Sequence, residues 1–241
     1  MTAPMKDQNN AADARKRAKE VAASCAADLV DDGMVLGLGS GSTAALFVQA
    51  LGRRVRLGLQ VVGVPTSELT AQLARMQGIP LATLETYARL DLDVDGADAI
   101  DPDLNLLKGL GGALLREKIV ASASDRFVAI VDDSKLVASL AQTSLVPVEV
   151  TSFGWTHVMA ELVGLGASAV RRTRDDAPSE PFITDGGNFI LDCRFGDLSE
   201  PASTAARIKS LTGVVDHGLF IGLATEAIVG SADGSVRVLH A

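Results

Sequence analysis

Short apolar runs alternate with amphipathic stretches over the first half of the chain. The short runs predict buried strands, at residues 34–38, 59–64, 80–84, 91–94 and 127–131, and the run at 59–64 is also rich in β-branched residues. The amphipathic stretches carry apolar residues at helical spacing and predict helices, at residues 11–31, 40–51, 68–77 and 113–123. Thr66 or Ser67 can cap the third of these helices, and Gly78 can end it. Strands that alternate with helices predict a parallel α/β sheet.

The pattern changes near residue 145. Strands are now predicted at residues 147–152, 168–174, 182–195 and 214–220, with helices at 155–166 and 201–213. This order, strand-helix-strand-strand-helix-strand, is that of a ferredoxin-like unit. Two final strands, at residues 226–230 and 236–239, return to the first sheet. We therefore predict a parallel-sheet domain, residues 1–144 plus 214–241, with an inserted ferredoxin-like α+β domain, residues 145–213.

The charge balance bears on the choice of partner. Lys and Arg number 22 and Asp and Glu number 30, so the formal net charge is −8. A nucleic-acid partner requires a basic face, so we expect none. The basic run Arg15, Lys16, Arg17 and Lys19 is flanked by Asp13 and Glu20, which is typical of a solvated helix face.

Three features favour a cytoplasmic protein without a membrane segment. Residues 33–52 carry no charge, but their GLGSGST motif would break a helix in lipid. Cys25 and Cys193 form no disulfide or CxxC pattern, which suits a reducing compartment. The opening MTAPMKDQNN has no apolar signal-peptide core.

Polar residues follow several of the predicted strands, where ligands bind in open α/β sheets. These residues are Ser40, Gly41, Ser42 and Thr43; Asp95, Gly96, Ala97 and Asp98; and Asp132, Asp133, Ser134 and Lys135. A glycine-rich segment, Lys108-Gly109-Leu110-Gly111-Gly112, also leads into the helix that bears Glu117. We expect these groups to surround a ligand.

The loop after the first strand is suited to a phosphate, because free N–H groups and the positive end of a helix attract anions. The alternative is a glycine turn that serves only packing. A dinucleotide fingerprint would need glycine at Ser42, and a Walker loop would need a GK[ST] triplet that the motif lacks. These two differences favour a small phosphorylated ligand.

The carboxylates have two possible roles each. Asp95 and Asp98 could bind sugar hydroxyls or move protons, or could belong to a turn and a helix cap. We expect Asp101 and Asp103 to be exposed turn residues around Pro102. Glu117 could face solvent, or could approach a ligand beside the glycine-rich segment.

Metal binding is not indicated by the histidines. His157, His217 and His240 show no ligand spacing such as HExxH, so we expect neither a metal nor a cofactor.

Eight motifs together resemble one family. GLGSGSTA, VPTSELTAQLA, DVDGAD, LKGLGGALLREKIVA, DDSKLV, PVEV, TDGGNFILD and GVVDHGLF follow one another as in A-type ribose-5-phosphate isomerases. The resemblance implies an α/β fold in which a Rossmann-like catalytic domain carries the inserted ferredoxin-like domain. It also implies interconversion of D-ribose 5-phosphate and D-ribulose 5-phosphate, in the non-oxidative pentose phosphate pathway, by a homodimer or homotetramer.

The resemblance also assigns roles to residues. It makes Glu117 the general base, with Asp98, Asp95 and Lys108 assisting catalysis. The substrate-binding residues would be Ser40 to Thr43, Asp95 to Asp98, Lys108 to Gly111, Lys135 and Lys19. The family usually has glutamate at Ala99 and glycine at Leu110, so loop rigidity and pocket shape can differ here.

Two other classes of function remain open. A sugar-phosphate sensor shares this fold class but would carry a DNA-binding domain, whereas only about 33 residues precede the first predicted strand. An amino-sugar phosphate deaminase or a coenzyme A transferase would need catalytic groups in other places.

Overall fold

The computed structural model describes residues 5–140, 145–196 and 198–241, with side chains from residue 11 onward. The described residues form two compact units. Unit 1 comprises the stretches Met1–Ala97, Val120–Lys135 and Ala224–Ala241. Unit 2 comprises Asp98–Ile119 and Leu136–Leu223.

The elements are numbered in chain order. The helices are α1 (Met5–Asp28), α2 (Ser42–Arg56), α3 (Glu68–Met76), α4 (Leu114–Ala123), α5 (Trp155–Gly164) and α6 (Pro201–Lys209). The strands are β1 (Val35–Leu38), β2 (Val62–Pro65), β3 (Leu92–Gly96), β4 (Ala99–Ile100), β5 (Leu106–Leu107), β6 (Phe127–Asp132), β7 (Val146–Val150), β8 (Ala167–Arg171), β9 (Phe189–Phe195), β10 (Val214–His217), β11 (Leu219–Phe220), β12 (Glu226–Gly230) and β13 (Val236–His240).

Unit 1 is built on a six-stranded sheet in the order β13-β12-β6-β3-β1-β2. All neighbouring strands are parallel except β13, which is antiparallel to β12. Leu36, Leu38 and Phe47 are fully buried in its core, together with alanines of α1. Because the strands are parallel, the carboxyl ends of β1, β3 and β6 lie at one edge of the sheet. The predicted polar loops follow those ends.

Helix α3 shows how local sequence sets an element's bounds. The Ser67 side chain accepts a hydrogen bond from the Thr70 N–H at 3.1 Å, so Ser67 is the cap. The helix ends before Gly78, whose φ of 77° suits glycine. Both signals were predicted from the sequence and are confirmed.

Unit 2 contains a four-stranded antiparallel sheet in the order β10-β7-β9-β8. Helices α5 and α6 connect its strands in the predicted strand-helix-strand-strand-helix-strand order. Val148, Leu162 and Ile208 are buried in its apolar core. A small sheet of β11, β5 and β4 completes the unit. The two sheets confirm the predicted fold class, a parallel α/β sheet with a ferredoxin-like α+β unit.

Three strand predictions were wrong. Residues 80–84 form a single bridge, between Leu81 and Gly63, because Pro80 has no N–H to donate. Residues 182–195 contain a turn in which the Thr184 N–H donates to the Asn188 carbonyl, so the continuous strand is only β9. Residues 214–220 divide at Gly218 into β10 and β11, which belong to different sheets.

The predicted domain boundaries differ from those of the two units, and the assignment of residues to domains stays a prediction. Residue 144, at one boundary, lies outside the described residues. Residues 214–217, placed with the first domain, pair as β10 with β7. Among the described residues, no helix is long and apolar enough to span a membrane.

Candidate active site

The first site element is the loop between β1 and α2. Gly41 precedes α2 with a φ of 94°, a backbone conformation that residues with a side chain rarely adopt. A Cβ on Gly39 would lie 2.2 Å from the Asp95 carboxylate, so glycine is required for the close approach of this loop to β3. Ser42 is exposed and Thr43 is buried at the start of α2. The loop therefore presents the first N–H groups of a helix, as an anion site requires.

A cluster of four hydroxyl groups supports this loop. The Ser40 hydroxyl donates to the Ser67 oxygen at 2.7 Å and lies 2.8 Å from the Thr66 oxygen. Thr66 and Thr70 donate to the carbonyl groups of Leu38 and Gly39, both at 3.0 Å. We predicted Thr66 and Ser67 only as helix caps. Their position after β2, at the same sheet edge as the loop, was the signal for this second role.

Lys19 reaches the loop from α1. Its Nζ donates to the Ser42 hydroxyl at 3.0 Å. Lys135 ends the 3-10 helix Asp133–Lys135 that follows β6, so it also lies beyond a strand's carboxyl end. The Asp132 carboxylate accepts a hydrogen bond from the Ser134 N–H at 3.1 Å and fixes that turn. Unit 1 thus brings two predicted lysines to its polar sheet edge.

Asp95 is fully buried at the end of β3. One carboxylate oxygen, Oδ1, accepts from the Ser40 N–H at 3.0 Å and from the Gly96 N–H at 2.6 Å. These contacts join the aspartate loop to the loop between β1 and α2. Gly96 and Ala97 follow in partly buried positions.

Asp98 begins the part of the aspartate loop that lies in unit 2. Its Oδ2 accepts from the Leu110 N–H at 3.0 Å, so this carboxylate contacts the glycine-rich segment. Leu110 and Gly111 are exposed at the tip of that segment, whereas Gly109 is buried. Ala99, where the family usually has glutamate, is buried in β4 and packs in the apolar core.

Glu117 and Lys108 form a buried ion pair in unit 2. The Lys108 Nζ lies 3.4 Å from the Glu117 Oε2, and the two side chains are only 3% and 7% exposed. The Lys108 ammonium also lies 5.6 Å from the centre of the Phe220 ring. The alternative that Glu117 faces solvent is therefore wrong. Helical spacing alone could not reveal that Glu117 is buried, because its partner Lys108 lies in the glycine-rich segment before the helix.

Lys118 points into a second charged cluster. Its Nζ donates to the Asp216 carboxylate at 2.5 Å and to the His217 carbonyl at 2.6 Å. Burial would raise the pKa of Asp216, but the ion pairs with Lys118 and Lys209 outweigh it and lower that pKa to about 2. Burial, aided by the Lys118 charge, lowers the pKa of His217 to about 4. The cluster holds the start of α4 against β10.

The prediction that Asp101 is an exposed turn residue was wrong. Asp101 is 7% exposed, and its carboxylate accepts from the backbone N–H groups of Asp103 and Asn105. Asp101 therefore organises a buried turn, whereas Asp103 is exposed as predicted. Within the described residues, no group of three or more His, Cys, Asp or Glu side chains could hold a metal ion.

Comparison with known proteins identifies the family. The sequence model of ribose 5-phosphate isomerase A (phosphoriboisomerase A) matches residues 62–234. The chain belongs to this family. It is 53% identical to the ribose-5-phosphate isomerase A of Synechococcus sp. strain JA-3-3Ab over 219 residues, 90% of this chain and 94% of that protein. The resemblance seen in the eight motifs is confirmed.

Solved structures of ribose 5-phosphate isomerases share the fold. That of the Methanocaldococcus jannaschii enzyme is 40% identical, with a TM-score of 0.88, and the match covers 92% of this chain and 98% of that one. A D-ribose-5-phosphate isomerase solved in complex with phospho-erythronic acid is 39% identical, also with a TM-score of 0.88, covering 92% and 97%.

Proposed function

We propose that this chain interconverts D-ribose 5-phosphate and D-ribulose 5-phosphate by proton transfer. The observation that carries the proposal is the buried Glu117 carboxylate beside the Lys108 ammonium. Family membership supports it, because the matched relatives are named for this reaction. A related structure contains phospho-erythronic acid, a phosphorylated sugar acid, which is consistent with this substrate class.

In the proposed reaction, the Glu117 carboxylate removes the proton from C2 of the open-chain aldose. The electron pair of the C2–H bond forms the C1–C2 double bond of an enediolate, and the C1 carbonyl oxygen takes up negative charge. Glu117 then returns a proton to C1, while the O2 hydroxyl proton passes to O1 and leaves the ketone at C2. One carboxylate can serve both steps because C1 and C2 are adjacent.

Lys108 and the neighbouring backbone are proposed to stabilise the charge that develops on oxygen. The Lys108 side chain is 3% exposed, so the field of its ammonium group acts with little screening by water. The N–H groups of Gly109 and Gly111 can add to this effect. Asp98, which lies beside Leu110, is proposed to assist ring opening and to transfer the hydroxyl proton.

The loop of unit 1 is proposed to bind the phosphate group. Ser42, Thr43 and Lys19 supply hydroxyl donors, helix N–H groups and a cation, which together suit a dianion. Asp95 is proposed to hold the loop through the Ser40 N–H. Lys135 is proposed to add a second cation.

Location and assembly also belong to the proposal. Cys25 and Cys193 are free thiols, which suits a reducing compartment such as the cytoplasm. The family resemblance favours a homodimer or homotetramer, which light scattering on the purified chain would distinguish.

The test is incubation of the chain with ribose 5-phosphate in D2O, followed by NMR. The proposal predicts ribulose 5-phosphate, with solvent deuterium entering at the exchanging carbon. Tight binding of ribose 5-phosphate without conversion would instead indicate that the chain is a sugar-phosphate sensor. Conversion with complete retention of the original hydrogen would contradict proton transfer by an exchanging carboxylate.

A further inference from the structure

The glycine-rich segment is held in place by an arginine from the antiparallel sheet. Arg172, directly after β8, donates from Nη1 to the carbonyl groups of Gly109 and Leu110, at 3.0 and 3.1 Å. All of these residues lie in unit 2. One guanidinium nitrogen thus binds two successive carbonyl groups of the segment.

Arg172 is itself fixed by Asp192 of β9. Its Nε donates to the Asp192 Oδ2 at 3.0 Å, and its Nη2 donates to the other carboxylate oxygen. The Arg172 side chain is 12% exposed and that of Asp192 is 22% exposed. Val170 lies opposite Asp192 in the β8–β9 register, so Arg172, two residues on, projects from the same face. A bidentate pair of this kind fixes both position and orientation.

The consequence for the segment follows from the planarity of the peptide bond. In a trans peptide, the carbonyl of one residue and the N–H of the next point in opposite directions. The bond from Arg172 to the Gly109 carbonyl therefore fixes the direction of the Leu110 N–H, which donates to Asp98. The bond to the Leu110 carbonyl likewise fixes the direction of the Gly111 N–H.

We infer that Arg172 and Asp192 are positioning residues for the isomerisation, because they set the peptide orientation that places Asp98 and the Gly111 N–H. This inference rests on the proposed function. Nothing in the sequence pattern near Arg172 suggests the role, since the contact spans more than 60 residues of chain. The inserted sheet thereby contributes to the chemistry although it supplies none of the proposed catalytic groups.

The test compares Arg172→Ala with Arg174→Ala. Arg174 is a matched control, since it is also paired with carboxylates, Asp176 and Glu180, but is 48% exposed and lies on the surface. Misplacement of reacting groups by about 1 Å costs up to roughly 100-fold in rate. We expect Arg172→Ala to lower kcat by about 10- to 100-fold with a smaller change in KM, and Arg174→Ala to leave both within about twofold.

Chemical rescue separates positioning from general stability. Millimolar guanidinium ion should restore part of kcat in Arg172→Ala, because it can occupy the space beside Asp192, and should not change Arg174→Ala. Arg172→Lys should stay impaired, because an ammonium cannot bind Asp192 bidentately and both carbonyl groups at once.

If Arg172→Ala does not fold, Asp192→Asn can be tested in its place, because it keeps the arginine but removes its paired charge. The expected result is again a lower kcat with a smaller change in KM. A folded variant with wild-type kcat would overturn the inference. A loss of activity that is proportional to the loss of folded protein, and that guanidinium ion does not restore, would also overturn it. An inactive wild type would instead show that the proposed function is wrong, and the inference would fall with it.

Discussion

His217 makes the stability of this protein depend on pH in a calculable way. His217 is 5% exposed, and the Nδ1 of its ring accepts a hydrogen bond from the Leu219 N–H at 3.3 Å. Burial and the nearby Lys118 charge lower the pKa of His217 to about 4. The perturbation is acidification from pH 7.5 to pH 4.5, in the wild type and in His217→Asn.

The direction in which stability changes with pH follows from proton binding. The pKa of His217 is about 6.5 in the unfolded chain and about 4 in the folded one, so between these values the unfolded chain binds more protons. Stability is therefore complete above the unfolded pKa and is lost as the pH falls from 6.5 towards 4. At pH 4.5 the loss from this one group is about 2–3 kcal/mol.

The assay is urea unfolding at both pH values and constant ionic strength. The wild type should lose about 2–3 kcal/mol more on acidification than His217→Asn does. Carboxylates that do not contact His217, including Glu149, whose pKa burial raises, contribute equally to both proteins and cancel in this difference. Exposed His157 provides the control, and His157→Asn should retain the full loss. Equal acid losses in the wild type and His217→Asn would refute the reasoning.

Three further expectations concern the site. Asp98→Asn should lower kcat about 100-fold. Asp101→Asn should lower thermal stability and leave kcat within about twofold, because the Asp101 carboxylate accepts hydrogen bonds from its own turn. The reverse ranking would mean that the loop is misassigned. Lys135→Ala should narrow the kcat/KM difference between ribose 5-phosphate and free ribose, and equal slowing of both sugars would place this lysine away from the phosphate. Activity should survive exhaustive dialysis against EDTA, and loss that one divalent ion reverses would contradict metal independence.

The parts that sequence predicts well are those set by local chemistry. The Ser67 cap, the glycine loop before α2 and the alternation of strands and helices all depend on neighbouring residues, and the structure confirms them. The wrong strands also have local causes, namely the missing N–H of Pro80 and the turn before Asn188. Turn chemistry there outweighed apolar periodicity.

The parts that sequence could not predict depend on burial and on side-chain contacts that apolar periodicity does not encode. Helical spacing left open the possibility that Glu117 faces solvent. The structure shows that Glu117 is buried in an ion pair with Lys108. Asp101 looked like an exposed turn residue, yet three donors on Asp103 and Asn105 surround its carboxylate. Arg172 carried no signal, because its role arises from the pairing of β8 with β9.

The central claim is that Glu117 moves the proton, and the kcat of Glu117→Gln tests it most directly. Glutamine keeps the size of the side chain but cannot accept a proton at neutral pH. Exposed Glu161 provides the matched control, Glu161→Gln, which should keep wild-type kcat. With circular dichroism confirming the fold, we predict that Glu117→Gln lowers kcat by about 10²- to 10⁴-fold while ribose 5-phosphate still binds. A folded Glu117→Gln protein whose kcat falls by less than about tenfold would contradict the account.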